Sequence, residues 1–350
     1  MGIQKHKVII DGWKITNNIS GASRYAIEII NEMDRKIMPT DNYSILLRKE
    51  YVNSLKLKNI KINTYKFSNK YWCKIELLQR VLLSNAIHID FFNGFSIGNN
   101  SIVTRHDMFA FYDVMGGKKS GFLKSRIRAL ESFVFAKRII AVSQYTKSEI
   151  IKRFPFAKEK VIVIPNAWQH VKNVEKDYSI IQKYKLSNNS FYLFLGRLVK
   201  NKNIDWIFKI ADKNKDSLFV IAGDVTSYEK FDRYMGVNNN IIYTGYVTDQ
   251  QCAALYDYCK AFLFPSLMEG FGIPPMEALF NGKPIIISDI PALKEVYEDA
   301  AHYINPYKYD YNLDDILNEK VADSERIMLK YSWEESAQKW VNLIDSFNSR

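Results

Sequence analysis

The stretch "AFLFPSLMEGFGIPPMEALFNGKPIIISD" (261–289) reads as a strand, a loop, a helix and a second strand. "AFLFPS" (261–266) is a short apolar run of β-forming residues, and Gly270 and Gly272 flank Phe271 in the loop that follows it. Pro274 and Pro275 stand where the first turn of a helix tolerates proline, while Gly282 and Pro284 end that helix before "PIIISD" (284–289) begins. Two strands joined by a crossover helix form a parallel unit, and the order repeats along the chain.

Outward from this unit, strands are expected at 191–197, 218–224, 241–247, 261–266 and 284–289, with helices at 203–213, 227–235, 249–258, 274–281 and 291–298. The first half shows the same alternation, with strands at 7–11, 43–48, 86–92, 101–107, 138–143 and 161–166 and helices at 23–36 and 120–136. Between the halves, "QHVKNVEKDYSIIQKYKLSNN" (169–189) is polar, lysine-rich and without strand character. The expected organisation is therefore α/β: two doubly wound, Rossmann-like parallel-sheet domains, at 1–172 and 173–332. A terminal amphipathic helix in 333–350 is expected to return to the first domain. In open sheets of this kind ligands bind beyond the carboxyl ends of the strands, so two facing domains would enclose a cleft.

Bulk composition agrees with a folded chain of this type. Its 350 residues suit two cores better than one, and 47% apolar with 25% charged residues is a globular mix. No apolar run approaches the length of a membrane span, and "MGIQKHKVIIDGW" lacks the apolar core of a signal peptide, so a cytoplasmic location is expected. Three cysteines, Cys73, Cys252 and Cys259, make no disulfide framework; the last two read as packing residues seven apart on one helix. The net charge of +11 suits an anionic partner such as nucleic acid, anionic lipid or a phosphorylated small molecule. Nucleic acid is disfavoured, because no recognition motif for it is present.

Chemistry is expected just after the strands. In "FLGRLVKNKNID" (194–205), Arg197 follows a strand and Lys202 precedes a helix, an arrangement suited to a diphosphate or to a solvated basic loop. Glu277 near a helix start complements the helix dipole, and Glu269 sits in the glycine loop. The two are not a hydrolase pair, since acids eight apart across a loop and a helix start have no fixed carboxyl separation. Gly270 and Gly272 would let bare backbone approach a ligand.

In this order and strand context, Arg197, Lys202, Glu269, "GFG" and Glu277 resemble the donor site of retaining glycosyltransferase family 4, of the two-domain GT-B fold and the bacterial surface-polysaccharide type. "GASRYAIEII" (21–30), "VTRHDMFAF" (103–111), "AVSQYTKSEI", "VIPNAW", "AGD", "GYVTDQQ", "PALKEV" and "YSWEESAQKWVNLI" extend the likeness over most of the chain, although Ala167 stands where the family usually has glycine. The resemblance implies a hexosyltransferase-class enzyme that moves a sugar from a nucleotide diphosphate donor to a glycan acceptor, lipid-linked in such pathways. It implies that Arg197 and Lys202 neutralise the diphosphate, that Glu277 accepts from the ribose, and that Glu269 with Gly270, Phe271 and Gly272 holds the sugar. Backbone at Tyr246 and Val247 would meet the base, Gly21 and Ala22 would approach the phosphates, and His106 would lie near the reacting sugar. His106 also reads as a strand-end histidine serving local backbone. No metal or other cofactor is expected, as no Asp-x-Asp stands in the expected place. A nucleotide-sugar epimerase and a non-catalytic nucleotide-sugar binder are the alternatives.

Residues 118–138 carry Lys118, Lys119, Lys124, Arg126, Arg128, Lys137 and Arg138 against the single acid Glu131, with Phe122, Leu123, Ile127, Leu130, Phe133, Val134 and Phe135 interleaved. This is either a peripheral contact with anionic membrane or a helix with a core face and a solvated basic face. The resemblance favours the membrane.

Overall fold

The computed structural model describes residues 6–17, 19–112, 119–225 and 239–348. The helix expected at 227–235 and Lys118 lie outside them. The chain divides into two compact units, one of residues 1–111, 117–167 and 331–350 and the other of 112–116 and 168–330.

The first unit holds β1 (Val8–Asp11), β2 (Tyr43–Leu47), β3 (Lys61–Thr64), β4 (Ile87–Asp90), β5 (Ser101–Arg105), β6 (Arg138–Ala141) and β7 (Val161–Val163). They form one parallel sheet in the order β3-β2-β1-β4-β5-β6-β7. Order reverses between β1 and β4, where Asp11 pairs in register with Asp90. Strands β4 and β5 are buried along their whole length and β1 along all but Asp11, and each carries Val or Ile at its buried centre although His88 interrupts β4.

Helix Gly21–Lys36 starts at Ser20, whose hydroxyl accepts from the Ser23 amide. Helix Trp333–Asn348 packs against it: Trp340 Nε1 donates to the Tyr25 hydroxyl at 2.9 Å, and the Tyr25 hydroxyl donates to the Ile164 carbonyl. Rings of Phe91 and Trp333 close around Tyr25. Burying a phenol needs this double pairing, since an unmet hydroxyl would cost about 1–3 kcal/mol.

The second unit holds β8 (Phe191–Leu195), β9 (Leu218–Ala222), β10 (Ile241–Gly245), β11 (Ala261–Phe264), β12 (Ile285–Ser288) and β13 (His302–Ile304), again parallel, in the order β10-β9-β8-β11-β12-β13. Helix Ile204–Lys213 packs Trp206, Ile207 and Ile210 onto the sheet beside Phe219, Ile221 and Leu263. The opening segment folds as read: β11, a loop, helix Ile273–Phe280 and β12. Helix Asp249–Tyr258 ends one residue before Cys259, so the two cysteines do not share a helix as expected; Cys259 is its C-cap and is buried. Among the described residues, edge strands β3 and β13 and helices Lys70–Leu83, Gln144–Arg153, Ser179–Lys183, Leu313–Asn318 and Glu325–Lys330 stand where no element is expected from the sequence.

Candidate functional site

In the second unit the proposed ligands lie where parallel strands end. Gly196, Gly223 and Gly245 stand at the carboxyl ends of the adjacent strands β8, β9 and β10, all at positive φ. Their backbones are stitched together, Gly196 N to Ala222 O at 3.0 Å and Gly223 N to Gly245 O at 2.8 Å. A Cβ on Gly223 would stand 1.9 Å from the Gly196 carbonyl oxygen, so this close approach requires glycine. Arg197 leaves the strand directly after it and is exposed, and no described side chain pairs with its guanidinium.

Lys202 ends a short 3-10 turn, Lys200–Lys202, and Asn203 then takes a left-handed conformation at φ 54° before helix Ile204–Lys213. The Asn203 amide donates to the carbonyls of Pro265 and Pro306, and Leu267 N donates to Asn201 O at 2.7 Å. These bonds tie the lysine turn to the loop after β11. As a result Lys202 Nζ donates to Glu269 Oε1 at 2.5 Å and lies 4.6 Å over the Phe264 ring, with the lysine side chain 19% and the glutamate 9% exposed. Residues 67 apart in sequence thus form one enclosed ion pair.

The glycine loop is closely packed. Gly270, Phe271 and Gly272 are all buried. Gly272 caps helix Ile273–Phe280 at φ 84°, its carbonyl accepts from the Tyr297 hydroxyl, and a Cβ there would meet Leu293 at 2.8 Å. Packing and backbone conformation therefore account for Gly272 without a ligand. Tyr246 is 59% exposed just beyond β10, while Val247 is buried.

Glu277, on the same helix, is held from two sides. Its Oε1 accepts from His170 Nε2 at 2.9 Å and its Oε2 from the Tyr256 hydroxyl at 2.9 Å. Neither partner was foreseen, because sequence distances of 107 and 21 residues carry no periodic signal.

In the first unit, Gly21 and Ala22 open helix Gly21–Lys36, and a Cβ on Gly21 would meet nothing within 4 Å. His106 follows β5, and the Tyr25 ring meets it edge-on at 5.3 Å, one turn along that helix from Gly21. His106 Nε2 lies 2.6 Å from the Phe91 carbonyl. A carbonyl only accepts, so Nε2 carries the proton and Nδ1 is left as the acceptor. Burial, against the pull of that carbonyl, pushes the imidazole down to about 4. His106 is thus neutral near pH 7.

His88 and Asp11, on strands of this sheet, also titrate away from their ordinary values. His88 is pushed down to about 4 by burial, and Asp11 up to about 6 by burial and by Asp90 beside it. Below pH 6.5 the unfolded chain takes protons that His88 and His106 refuse until about pH 4, so both histidines cost stability as pH falls. Asp11 works the other way, since the folded chain takes its proton near 6 and the unfolded chain only near 3.8. Two losses against one gain predict that these groups remove about 2 kcal/mol of unfolding free energy between pH 7 and pH 5. Urea titrations at both values check this, and His88→Gln should flatten the dependence.

Among the described residues no group of three His, Cys, Asp or Glu side chains could hold a metal ion, and no helix is long and apolar enough to cross a membrane.

Comparison with known proteins adds to this geometry. The family model for Glycosyltransferase Family 4 matches residues 19–168, and that for Glycosyl transferases group 1 matches residues 176–326. O-antigen chain mannosyltransferase B of Escherichia coli is 26% identical over 63% of the chain and 64% of its own length. O-antigen chain mannosyltransferase RfbU of Salmonella typhimurium is 30% identical over 59% of the chain and 57% of its own length. The chain thus spans about three fifths of these curated relatives. Among solved structures, a sucrose-phosphate synthase of Thermosynechococcus elongatus superposes with a TM-score of 0.74 at 13% identity, covering 99% of this chain and 100% of the other. Anabaena HepE in complex with UDP and glucose gives 0.72 at 15% identity, covering 97% and 100%. The fold is GT-B.

Proposed function

Since residues 19–168 belong to glycosyltransferase family 4 and residues 176–326 to the group 1 glycosyl transferases, we propose that the chain transfers a sugar from a nucleotide diphosphate donor to a glycan hydroxyl with retention of configuration. The pathway class is bacterial surface polysaccharide, as for the O-antigen relatives. HepE, of the same fold, is described in complex with UDP and glucose, which supports a nucleotide-sugar donor.

The observation that carries this reading is the Lys202–Glu269 pair. In a nucleotide sugar the anomeric oxygen is bonded to the terminal phosphorus, so a sugar-hydroxyl acceptor and a phosphate cation must be neighbours. Glu269 and Lys202 are neighbours, and Arg197 leaves the adjoining strand end with its guanidinium exposed. On donor binding the ammonium turns to the diphosphate and the carboxylate to the sugar. As the glycosidic bond breaks, charge grows on the leaving phosphate and both cations stabilise it without a metal. The acceptor oxygen bonds to the anomeric carbon on the face from which the phosphate leaves, and the departing phosphate oxygen takes the acceptor's proton. His106, neutral with Nδ1 as its acceptor, is assigned to a hydroxyl of the reacting sugar, and Gly21 and Ala22 to the phosphates. The test is incubation with a panel of nucleotide sugars and acceptor glycans, followed by the anomeric configuration of the product. Retention is expected; an inverted product, or isomerised donor without acceptor, would contradict it.

For the acceptor we assign a lipid-linked glycan at an anionic membrane surface. Helix Lys119–Phe135 supports this: Ala129 and Phe133 face the core, while Leu123, Ile127, Leu130 and Val134 form an apolar stripe 43–59% exposed. Lys124 and Arg126 are exposed beside the stripe; the Lys119 side chain lies outside the described part. Phe95, with Arg128 over its ring at 5.2 Å and Lys74 at 4.3 Å, joins this helix to helix Lys70–Leu83, which exposes Tyr71, Trp72, Leu78 and Leu82. An apolar stripe bordered by cations suits headgroups, each cation adding about 1 kcal/mol. Leu123→Ser with Ile127→Ser should lower partitioning onto phosphatidylglycerol vesicles about tenfold, measured by co-sedimentation. Unchanged partitioning would remove the membrane assignment.

A further inference from the structure

Glu277 is fixed by its surroundings more tightly than an exposed ligand residue needs to be. His170 sits in the short turn Gln169–Val171, at the start of the second unit. That turn is clamped to helix Ile273–Phe280 twice: the Trp168 ring lies 4.8 Å from the Phe280 ring, and His170 reaches Glu277. Phe280 and Glu277 are three apart and so share a helix face. Trp168 Nε1 also donates to the Met328 carbonyl at 2.9 Å, which anchors the turn from behind. From the other side Tyr256, on helix Asp249–Tyr258, donates to Glu277 Oε2 at 2.9 Å and lies 3.2 Å from the Pro274 carbonyl in the first turn of helix Ile273–Phe280.

We infer that His170 and Tyr256 are positioning residues for Glu277, each donating to one carboxylate oxygen and together fixing the plane in which Glu277 receives the donor's ribose hydroxyls. A carboxylate accepts only, so His170 Nε2 carries the proton in this contact. Burial and the adjacent Glu277 raise the Tyr256 phenol well above its ordinary value, so its hydroxyl stays a donor throughout the working range. A carboxylate has about four acceptor sites, so one oriented by inner donors can still accept from a vicinal diol. The glutamate side chain remains 14% exposed, whereas His170 is 4% exposed and does not itself meet solvent-borne ligand. The inference rests on the ribose role proposed above for Glu277 and extends it to two residues buried behind it.

The test is calorimetric titration of the full chain with UDP, ADP and GDP, each beside its 2′,3′-dideoxy counterpart. Wild type should bind the ribo form of its preferred nucleotide about tenfold or more tightly than the dideoxy form, the size of one or two charge-assisted hydrogen bonds. His170→Ala and Tyr256→Phe should bind the ribo form about tenfold more weakly and bring the ribo-to-dideoxy ratio towards one. His170→Gln, which keeps an N–H at similar reach, should restore most of the ratio. A merely structural role would weaken both forms alike. Variants that fold, bind and keep the full wild-type ratio would overturn the positioning role and leave the role of Glu277 standing. A wild type that treats the two forms alike, or binds neither, would instead remove Glu277 from the ribose and the inference with it.

Discussion

Lys202→Ala is expected to lower the rate of nucleoside diphosphate release by about 100- to 1000-fold, and Arg197→Ala by a similar factor. Both side chains are proposed to act on charge that grows only as the donor bond breaks, so the loss belongs mainly to kcat. Lys202 has a second task in the free protein, because its ammonium pairs with a Glu269 side chain only 9% exposed. Removing one partner of an enclosed ion pair leaves the other charge unmatched and destabilises the fold. The alanine variant should therefore also melt earlier than wild type. Lys202→Arg separates the two effects: it should keep most of the stability and recover part of the rate. Unchanged turnover in both alanine variants would remove these residues from the diphosphate.

Gly223→Ala should strongly destabilise the second unit. The residue sits at φ 143°, and the added Cβ would stand 1.9 Å from the Gly196 carbonyl oxygen. The obstacle is backbone, held by the Gly196 N to Ala222 O bond at 3.0 Å, and cannot rotate away as a side chain could. Relief requires β8 and β9 to part at their carboxyl ends, at a cost of about 3 kcal/mol. The same movement displaces Arg197, so donor binding should fall together with stability. Gly282→Ala is the control: its φ is 69°, but a Cβ there meets nothing within 4 Å, so only the conformational cost of about 1 kcal/mol applies. Urea unfolding of the two variants gives the comparison, and equal shifts would show that the Gly196 contact is unimportant.

The parallel α/β class was legible because both sheets bury their central strands on two faces, making β8, β9 and β11 apolar throughout and β1 and β12 apolar up to their last residue. The edge strands escaped notice for the opposite reason. "KINT" at β3 is half-exposed and carries a single isoleucine, and β13 has only three residues. Helix Lys70–Leu83 was hidden because Leu78, Leu82 and Leu83 point outward, which breaks the one-sided pattern that marks a packed helix.

At the site, residue types near strand ends could be read from the sequence, but partnerships could not. The Lys202–Glu269 contact depends on Asn203 in a left-handed conformation bonding to Pro265 and Pro306, a tertiary arrangement with no local signature. The glycine at 272 is visible in the sequence, but the Leu293 side chain that an added Cβ there would meet at 2.8 Å is not. His170 lay in a segment that looked like a bare polar linker, and only the fold brings it to Glu277.

A nucleotide diphosphate is proposed to sit beyond the carboxyl ends of the second unit's sheet. Amide hydrogen exchange with and without saturating UDP, ADP or GDP measures this most directly. Protection is expected in peptides covering 196–203, 245–247 and 269–277, with loss of that protection in Lys202→Ala. Calorimetrically confirmed binding that leaves these three segments unprotected, with slowed exchange confined elsewhere, would contradict it.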